Sequence, residues 1–352
     1  NTAVGASSLV SNTTGNNNVA IGYQALDSNV TGNDTVAIGK GALQAFTGGT
    51  SVGGSVGVGR DALYALTTGE SHIAIGENAG YSVTTGNNTV AIGALALMNN
   101  GANDNVAVGH HALKECTSGT TNVAIGRGAL DACTSGSYNT AVGQEAATSL
   151  TTGGGETHIG FEAGKAITTG GGTGYNTSVG YRAQYQNTTG YYNTAIGAFA
   201  LQGVTDGNHN TGCGQEAGDQ ITTGDYNTCS GFNAGPDLTT GNHNICIGRK
   251  SGDGLTTGGY NILIGNQTYT LGANNSQQIT IGTDLEGKGS YYTTFGTNAN
   301  GRVYNYYPSN ATWTRDSDER LKKDITTNSD CGLAFINDLR TVTYKWKAPS
   351  EV

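Results

Sequence analysis

The string N-x-A-[IV]-G returns, with variation, every 17 residues, and that spacing limits what this chain can fold into more than any other feature. Its closing glycine stands at Gly5, Gly22, Gly39, Gly59, Gly76, Gly93, Gly109, Gly126, Gly143, Gly160, Gly180, Gly197, Gly214, Gly231, Gly248, Gly265, Gly282 and Gly296. Of the 17 gaps between these marks, 13 are of 17 residues. Two gaps of 20 read as loop insertions, at "TGGTSVGGS" and "TTGGGTGYN"; one of 16 and a last of 14 complete the set. A period this strict means that each repeat is one rung stacked on the last. With one strand spacing of ~4.8 Å per rung, the rod is roughly 80 Å long.

Each rung has its own grammar. A turn, most often "TTG", precedes a strand of about five residues such as Asn193 to Gly197, and G-x-x-A follows, usually with an apolar residue next. The Ala three after the marked Gly is present in every rung from Gly22 to Gly231. Strand side chains alternate faces, so the Ile or Val before the Gly points one way and the residue before it the other. That second column holds Ala20, Ala37, Ala74, Ala91, Ala107, Ala124, Ala141 and Ala195, with Gly57, Ser178, Gly212, Cys229 and Cys246 as small substitutes. One such strand per 17 residues is little with which to close a single-chain coil. The expected architecture is therefore all-β, a 17-residue-repeat β-solenoid or β-roll rod, intertwined as a homotrimer with the small Ala column near the common axis.

Composition excludes several classes. Gly is 58 of 352 residues but Pro only 3, so collagen is out. Charge is low and β-branched residues are plentiful, unlike a disordered chain. A net charge of -9 argues against a nucleic-acid partner, and no apolar run is long enough for a membrane span. The opening "NTAVGASSL" reads as a repeat already in progress, so a fragment of a longer protein is expected.

A strict period also makes columns. Five positions before the marked Gly stand Tyr138, Tyr175, Tyr192, His209, Tyr226, His243 and Tyr260, interrupted only by Gly155. Earlier rungs carry Asn17, Asp34, Ser71, Asn88 and Thr121 there. The aromatic column reads either as a sugar-stacking surface for a host glycan or as rings that stabilise the rod. Cys116 and Cys133, like Cys229 and Cys246, are one rung apart and read as small apolar fillers; Cys213 and Cys331 stand alone. No Cys/His spacing suggests zinc, no Gly-rich loop suggests a nucleotide, and no metal or cofactor is expected. His110 and His111 form one isolated pair. Glu145, Glu162 and Glu216 share a column that reads as a solvated face. "TTG", present nine times, reads as a corner with Gly supplying a positive φ rather than as an ice-binding threonine array.

The repeat decays after Gly282. Residues 283–316, rich in Tyr and polar residues, read as a cap or neck. Then "SDERLKKDI", Ser317 to Ile325, holds six charged residues in nine, where the whole chain is 12% charged. Ser317 ahead of Asp318 and Glu319 fits a helix N-terminus, and "GLAFINDLRTVTYKWK" fits a short helix followed by a strand, Thr341 to Lys347.

Ser317, Asp318, Arg320 to Ile325 and the L-R-x-V-x-Y-x-W-K strand ending at Trp346 and Lys347 closely resemble the start of the C-terminal intramolecular chaperone of phage tail fibres and endosialidase-type tailspikes. The resemblance covers about 31 residues, and it implies a domain, 317–352 here, that trimerises the nascent fibre and then cuts itself off. It places a nucleophile at Ser317 and its lysine partner at Lys322, with cleavage at Ser317-Asp318. The chemistry is that of a hydroxyl activated by a lysine of lowered pKa. The rungs, for their part, resemble the "NSVAIG" head repeats of trimeric autotransporter adhesins, although the period is longer here. Together these point to residues 1–282 as the shaft of a phage or virus fibre that binds a host-cell surface glycan or receptor, made in the host cytoplasm and carried on the virion. No enzyme that turns over a substrate is expected. A bacterial trimeric adhesin at the cell surface and an ice-binding solenoid are the alternatives.

Overall fold

The computed structural model describes residues 1–48, 54–99, 102–168 and 174–308, and the backbone of 314 and 315. It is an all-β solenoid of 17-residue coils, with no helix among the described residues. Each coil contributes one three-residue strand, from Thr2–Val4 through Ile262–Ile264, and neighbouring strands pair in parallel, one coil apart and residue for residue: Ala20 with Ala37, Ala195 with Gly212, Cys229 with Cys246. At the C-terminal end Tyr292–Thr297 pairs in parallel with Ile279–Gly282 and antiparallel with Gly301–Tyr306. Gly301–Tyr306 in turn pairs antiparallel with Thr314–Arg315.

The coil closes within one chain. Three left-handed residues per coil make this possible, as in Gln24 (φ 57°), Leu26 (φ 52°) and Asp34 (φ 54°). Their amides are held by the coils on either side: Gln24 N–H donates to Ala6 O at 3.1 Å and Leu26 N–H to Ala42 O at 3.0 Å. Left-handed backbone is costly for a leucine, so it persists only where the surroundings dictate it. Here they do, because Leu26, Leu43, Leu63, Leu97, Leu113, Leu130 and Leu201 all lie in the core. Each such burial is worth about 1.5–3 kcal/mol.

This corrects two expectations. The small column lies inside each coil rather than at an axis between chains: Ala20, Ala37, Ala74 and Ala195 are buried against Ala25, Leu26 and their equivalents. A larger residue would push the strand away from the leucine opposite; at Gly212 a Cβ would already approach Leu201 Cγ to 2.8 Å. Nor does the glycine of "TTG" supply a positive φ, since Gly69, Gly190, Gly224 and Gly241 are not left-handed. They are glycines because the next coil is too close. A Cβ at Gly224 would lie 2.5 Å from Gly241 O, and one at Gly69 or Gly190 would run into the carbonyl of Gly86 or Gly207.

The asparagine that opens each strand motif is an interior ladder. Asn193, Asn210, Asn227, Asn244 and Asn261 are buried, and each side-chain oxygen accepts the backbone N–H one coil on at 2.9–3.1 Å, that of the next asparagine up to Asn261 and then that of Gln278. Each Nδ2 donates to a carbonyl 14 residues on, as from Asn210 to Gly224 O at 2.7 Å. Earlier coils replace the asparagine with Thr35, Ser55, His72 and Thr89. His72 Nε2–H donates to Gly86 O at 2.6 Å, as an asparagine would, and Nδ1 accepts from the Thr89 hydroxyl at 2.6 Å. Burial lowers the His72 pKa, in keeping with this neutral ring.

Candidate functional site: an aromatic ladder on the solenoid

The aromatic column is a continuous stack over six coils. Tyr175 and Tyr192 have ring centroids 5.5 Å apart, Tyr192 and His209 4.9 Å, His209 and Tyr226 4.6 Å, Tyr226 and His243 4.9 Å, and His243 and Tyr260 4.6 Å. Interplanar angles from Tyr192 to Tyr260 run from 1° to 20°. Tyr191 adds an edge-on ring against both Tyr192 and His209.

The backbone places these rings. Every ladder residue is left-handed, from Tyr175 at φ 47° to Tyr138 at φ 64°. Its N–H donates to a carbonyl one coil back: His209 to Tyr191 O at 3.1 Å, Tyr226 to Asn208 O at 3.0 Å, His243 to Asp225 O at 2.9 Å. A second polar column braces that turn, with Asn208 Oδ1 accepting from Tyr191 N–H at 3.0 Å and Asp225 Oδ1 from Asn208 N–H at 2.7 Å. The rings therefore rise at the coil spacing, which is close to the separation of stacked aromatics.

Six of the seven residues singled out in the sequence are brought together, and Tyr138 is not. At Gly155 the Tyr175 ring leans into the space a side chain would fill, with two ring atoms 2.8 Å from an ideal Cβ. Tyr138 is left 70% exposed, with no ring contact among the described residues. Stacking also decides what the ladder can offer a ligand. From Tyr192 to His243 both ring faces are covered by neighbours, so the outward groups there are tyrosine hydroxyls and imidazole edges; the end ring Tyr260 has a ring partner on one face, among the described residues. A sugar laid flat on a ring needs an open face; one bound along this column meets hydrogen-bonding edges instead.

The other columns are engaged within the solenoid. Glu145 and Glu162 are tied by Lys165 at 2.8 and 2.7 Å, Arg127 reaches Glu145 at 2.5 Å and Arg182 reaches Glu162 at 2.6 Å. The Lys165 hydrogen bond comes first in holding both carboxyls below the usual range. Residue spacing showed the acids but not this network: Arg127 and Lys165 come from other columns, and Arg182 stands in the acids' own column, two residues after Gly180. In the "TTG" corners the first threonine hydroxyl donates to the same carbonyl one coil on, as Thr188 to Thr205 O at 3.0 Å and Thr239 to Thr256 O at 3.2 Å. Its proton holds coils together rather than ordering surface water. His110 and His111 stack at 3.9 Å, and burial comes first in lowering the His111 pKa. Among the described residues no three His, Cys, Asp or Glu side chains converge as metal ligands, and no helix is long and apolar enough to cross a membrane.

Ser317 and Lys322 lie outside the described residues, as does the strand ending at Trp346 and Lys347. Comparison of sequences reaches them: residues 317–351 match the family described as the chaperone of endosialidase. No curated protein and no solved structure matches the chain.

Proposed function

From a β-solenoid that runs into a chaperone-of-endosialidase segment, we propose that this chain is the shaft of a phage tail fibre or spike, assembled as a homotrimer by that segment and then released from it. The observation that carries the reading is the junction itself, a 17-residue solenoid followed by the family match at residues 317–351. The solenoid has a physical need for such a helper. Its coils are nearly identical, so three shafts meeting side by side gain almost as much one rung out of register as in it. A trimerising module at one end sets the register once for the whole rod.

Release follows from the Ser317 and Lys322 pair. Lys322 takes the Ser317 hydroxyl proton and returns it to the departing Asp318 amine, so that the peptide bond between Ser317 and Asp318 is hydrolysed with net uptake of one water, once per chain. Loss of the chaperone then leaves the fibre held by a kinetic barrier rather than by a reversible equilibrium. The shaft serves attachment: a host-surface glycan running along the ladder from Tyr175 to Tyr260 is recognised by hydroxyl and imidazole edges.

Intact mass of the full-length product tests this, beside Ser317→Ala and Lys322→Ala. We expect the wild type to end near Ser317 and both variants to keep their C-termini, with all three trimeric by native mass spectrometry. An uncut but trimeric wild type removes self-cleavage and leaves an assembly module. An uncut monomer overturns the fibre reading.

A further inference from the structure

The outer face of the strand ladder is uncharged and rich in Val and Ile, with Thr at the first outward position from Thr140 to Thr228. In each strand the middle side chain points into the coil and the two flanking ones point out. Ile21, Ile75, Ile125, Ile159, Ile196 and Ile247 lie on this outer face and are 38–45% exposed. From Thr2–Val4 to Ile279–Gly282 no strand position holds Asp, Glu, Lys or Arg. Single exposed aliphatics are ordinary, but an outer column that holds Val or Ile in every coil from Val4 to Ile196 is not. At one coil per ~4.8 Å, two columns about 7 Å apart over this length give a strip on the order of 550 Å². That is at the top of the roughly 300–600 Å² range of the largest patch on a typical monomer and approaches one side of a standard interface, about 800 Å².

The period of the stripe identifies its occupant. Its ridges recur at the coil spacing along the whole shaft, and a partner that meets every ridge must carry the same spacing. Another copy of this chain does. We infer that the Val/Ile face is the seam along which three copies pack around the shaft axis, parallel and in register. This rests on the trimeric reading above and moves the axis from the buried Ala column to the opposite side of the strand. Cys213 falls on this face, between Ile196 and Ser230 in the same outward column, and is the exposed cysteine among the described residues. In a parallel threefold seam the three Cys213 side chains face one another at one height. A slip of one coil would set Cys213 against Ile196 or Ser230 instead.

The test uses the full chain with Cys331 replaced by Ser and a short bismaleimide. Covalent dimers are expected, joining at most two chains of each trimer, and they should vanish with Cys213→Ser. Thr223→Cys, added to Cys213→Ser at an exposed corner, should give none. In parallel, Ile196→Glu with Ile247→Glu should abolish the trimer in native mass spectrometry. If the trimer survives both glutamates, and Cys213 reacts freely with a monofunctional maleimide but never cross-links, the seam is overturned while the trimeric fibre stands. If the unmodified chain is monomeric, the trimeric reading itself falls.

Discussion

The early and late coils solve one problem with different side chains. Five residues before the rung glycine both halves need a left-handed residue. Asn17, Asp34, Asn88 and Asp104 take it at φ 54–59°, and Tyr192, His209, Tyr226 and His243 at φ 56–57°. Asparagine and aspartate adopt this conformation readily, because their short polar side chains bond locally. Early coils use these residue types and link them from coil to coil, with Asn17 Nδ2 donating to Asp34 Oδ1 at 3.0 Å and Asn88 Nδ2 to Asp104 Oδ1 at 3.1 Å. Tyrosine has no such relief, and late coils offset the strain by stacking. The interior ladder divides in the same way, with mixed residues early and unbroken asparagine from Asn176 to Asn261. The solenoid thus fixes the backbone, and the sequence chooses among chemistries that tolerate it.

The largest expected effect is one the two halves share. Gly76 (φ 137°) and Gly214 (φ 134°) sit where a Cβ would lie 2.6 and 2.5 Å from the carbonyl oxygens of Gly93 and Gly231. Gly76→Ala and Gly214→Ala should each cost about 3 kcal/mol or more, since neither the φ nor the close backbone can be relieved locally. Thermal melts should show equal losses; a large difference would mean that the coils are not equivalent. Next comes the interior ladder. Asn227→Ala removes the acceptor of two bonds from Asn244 and two donor bonds, to Asn210 Oδ1 and Gly241 O. About 2–4 kcal/mol should be lost. Thr89→Ala, which frees only the His72 ring, should cost about half as much by the same melts.

Those two sites also show what residue types reveal. The rung and its strand were legible because a strict period and an alternating strand leave marks at every repeat. The small residue of the strand was legible too, but not which side of it was the core. Ala37 fits against a neighbouring chain as readily as against its own Leu43, and only closure of the coil decides. Closure depends on left-handed Leu43, Leu113 and Tyr226, and nothing in those residue types signals positive φ. The asparagine was visible as a motif letter, yet its ladder runs between coils and needs the one-coil register to appear. In the candidate site, the column from Tyr175 to Tyr260 was readable by position. The covering of its ring faces was not, because that depends on tilt. Ser317 and Lys322 were singled out from a family motif rather than from physics.

The ladder can be tested by interchanging the two solutions. Tyr226→Asn loses stacking against His209 and His243 but gains an easier left-handed residue. Each stacked pair is worth about 0.5–1.5 kcal/mol, so the net loss should be about 1 kcal/mol. Gly155→Tyr should do the reverse. Its φ of 73° already suits the column, and the Tyr175 ring can swing aside to join Tyr138 and Tyr175 through the new ring. A gain of about 0.5–1 kcal/mol in the melt would show that the rings stabilise the rod. A loss would show that Gly155 is needed for the local path of the chain.

The smallest expected effect concerns two acids at one position of the coil, Asp131 early and Asp219 late. Burial comes first in raising both carboxyl pKa values, and each Oδ1 is buried without a hydrogen-bond partner. Asp131 has His111 and Lys114 close enough to pull its value back, whereas for Asp219 the Gln220 hydrogen bond opposes the shift and Glu216 adds to it. A carboxyl whose folded pKa is raised binds its proton more tightly in the folded chain. Its contribution is complete below the unfolded value, about 3.9, and is lost as pH rises through the folded value. Glu145 and Glu162 act with the opposite sign, since their lowered values give stability that is lost as pH falls through them. Comparing each variant with its parent isolates the single acid. Asp219→Asn should melt slightly above the parent at pH 7, with the gap closing towards pH 4, and Asp131→Asn should show the same trend more weakly. Solvent screening keeps both gaps to a degree or two. Equal gaps at pH 4 and pH 7 would mean that the side chain's shape, rather than its charge, sets the difference between the two halves.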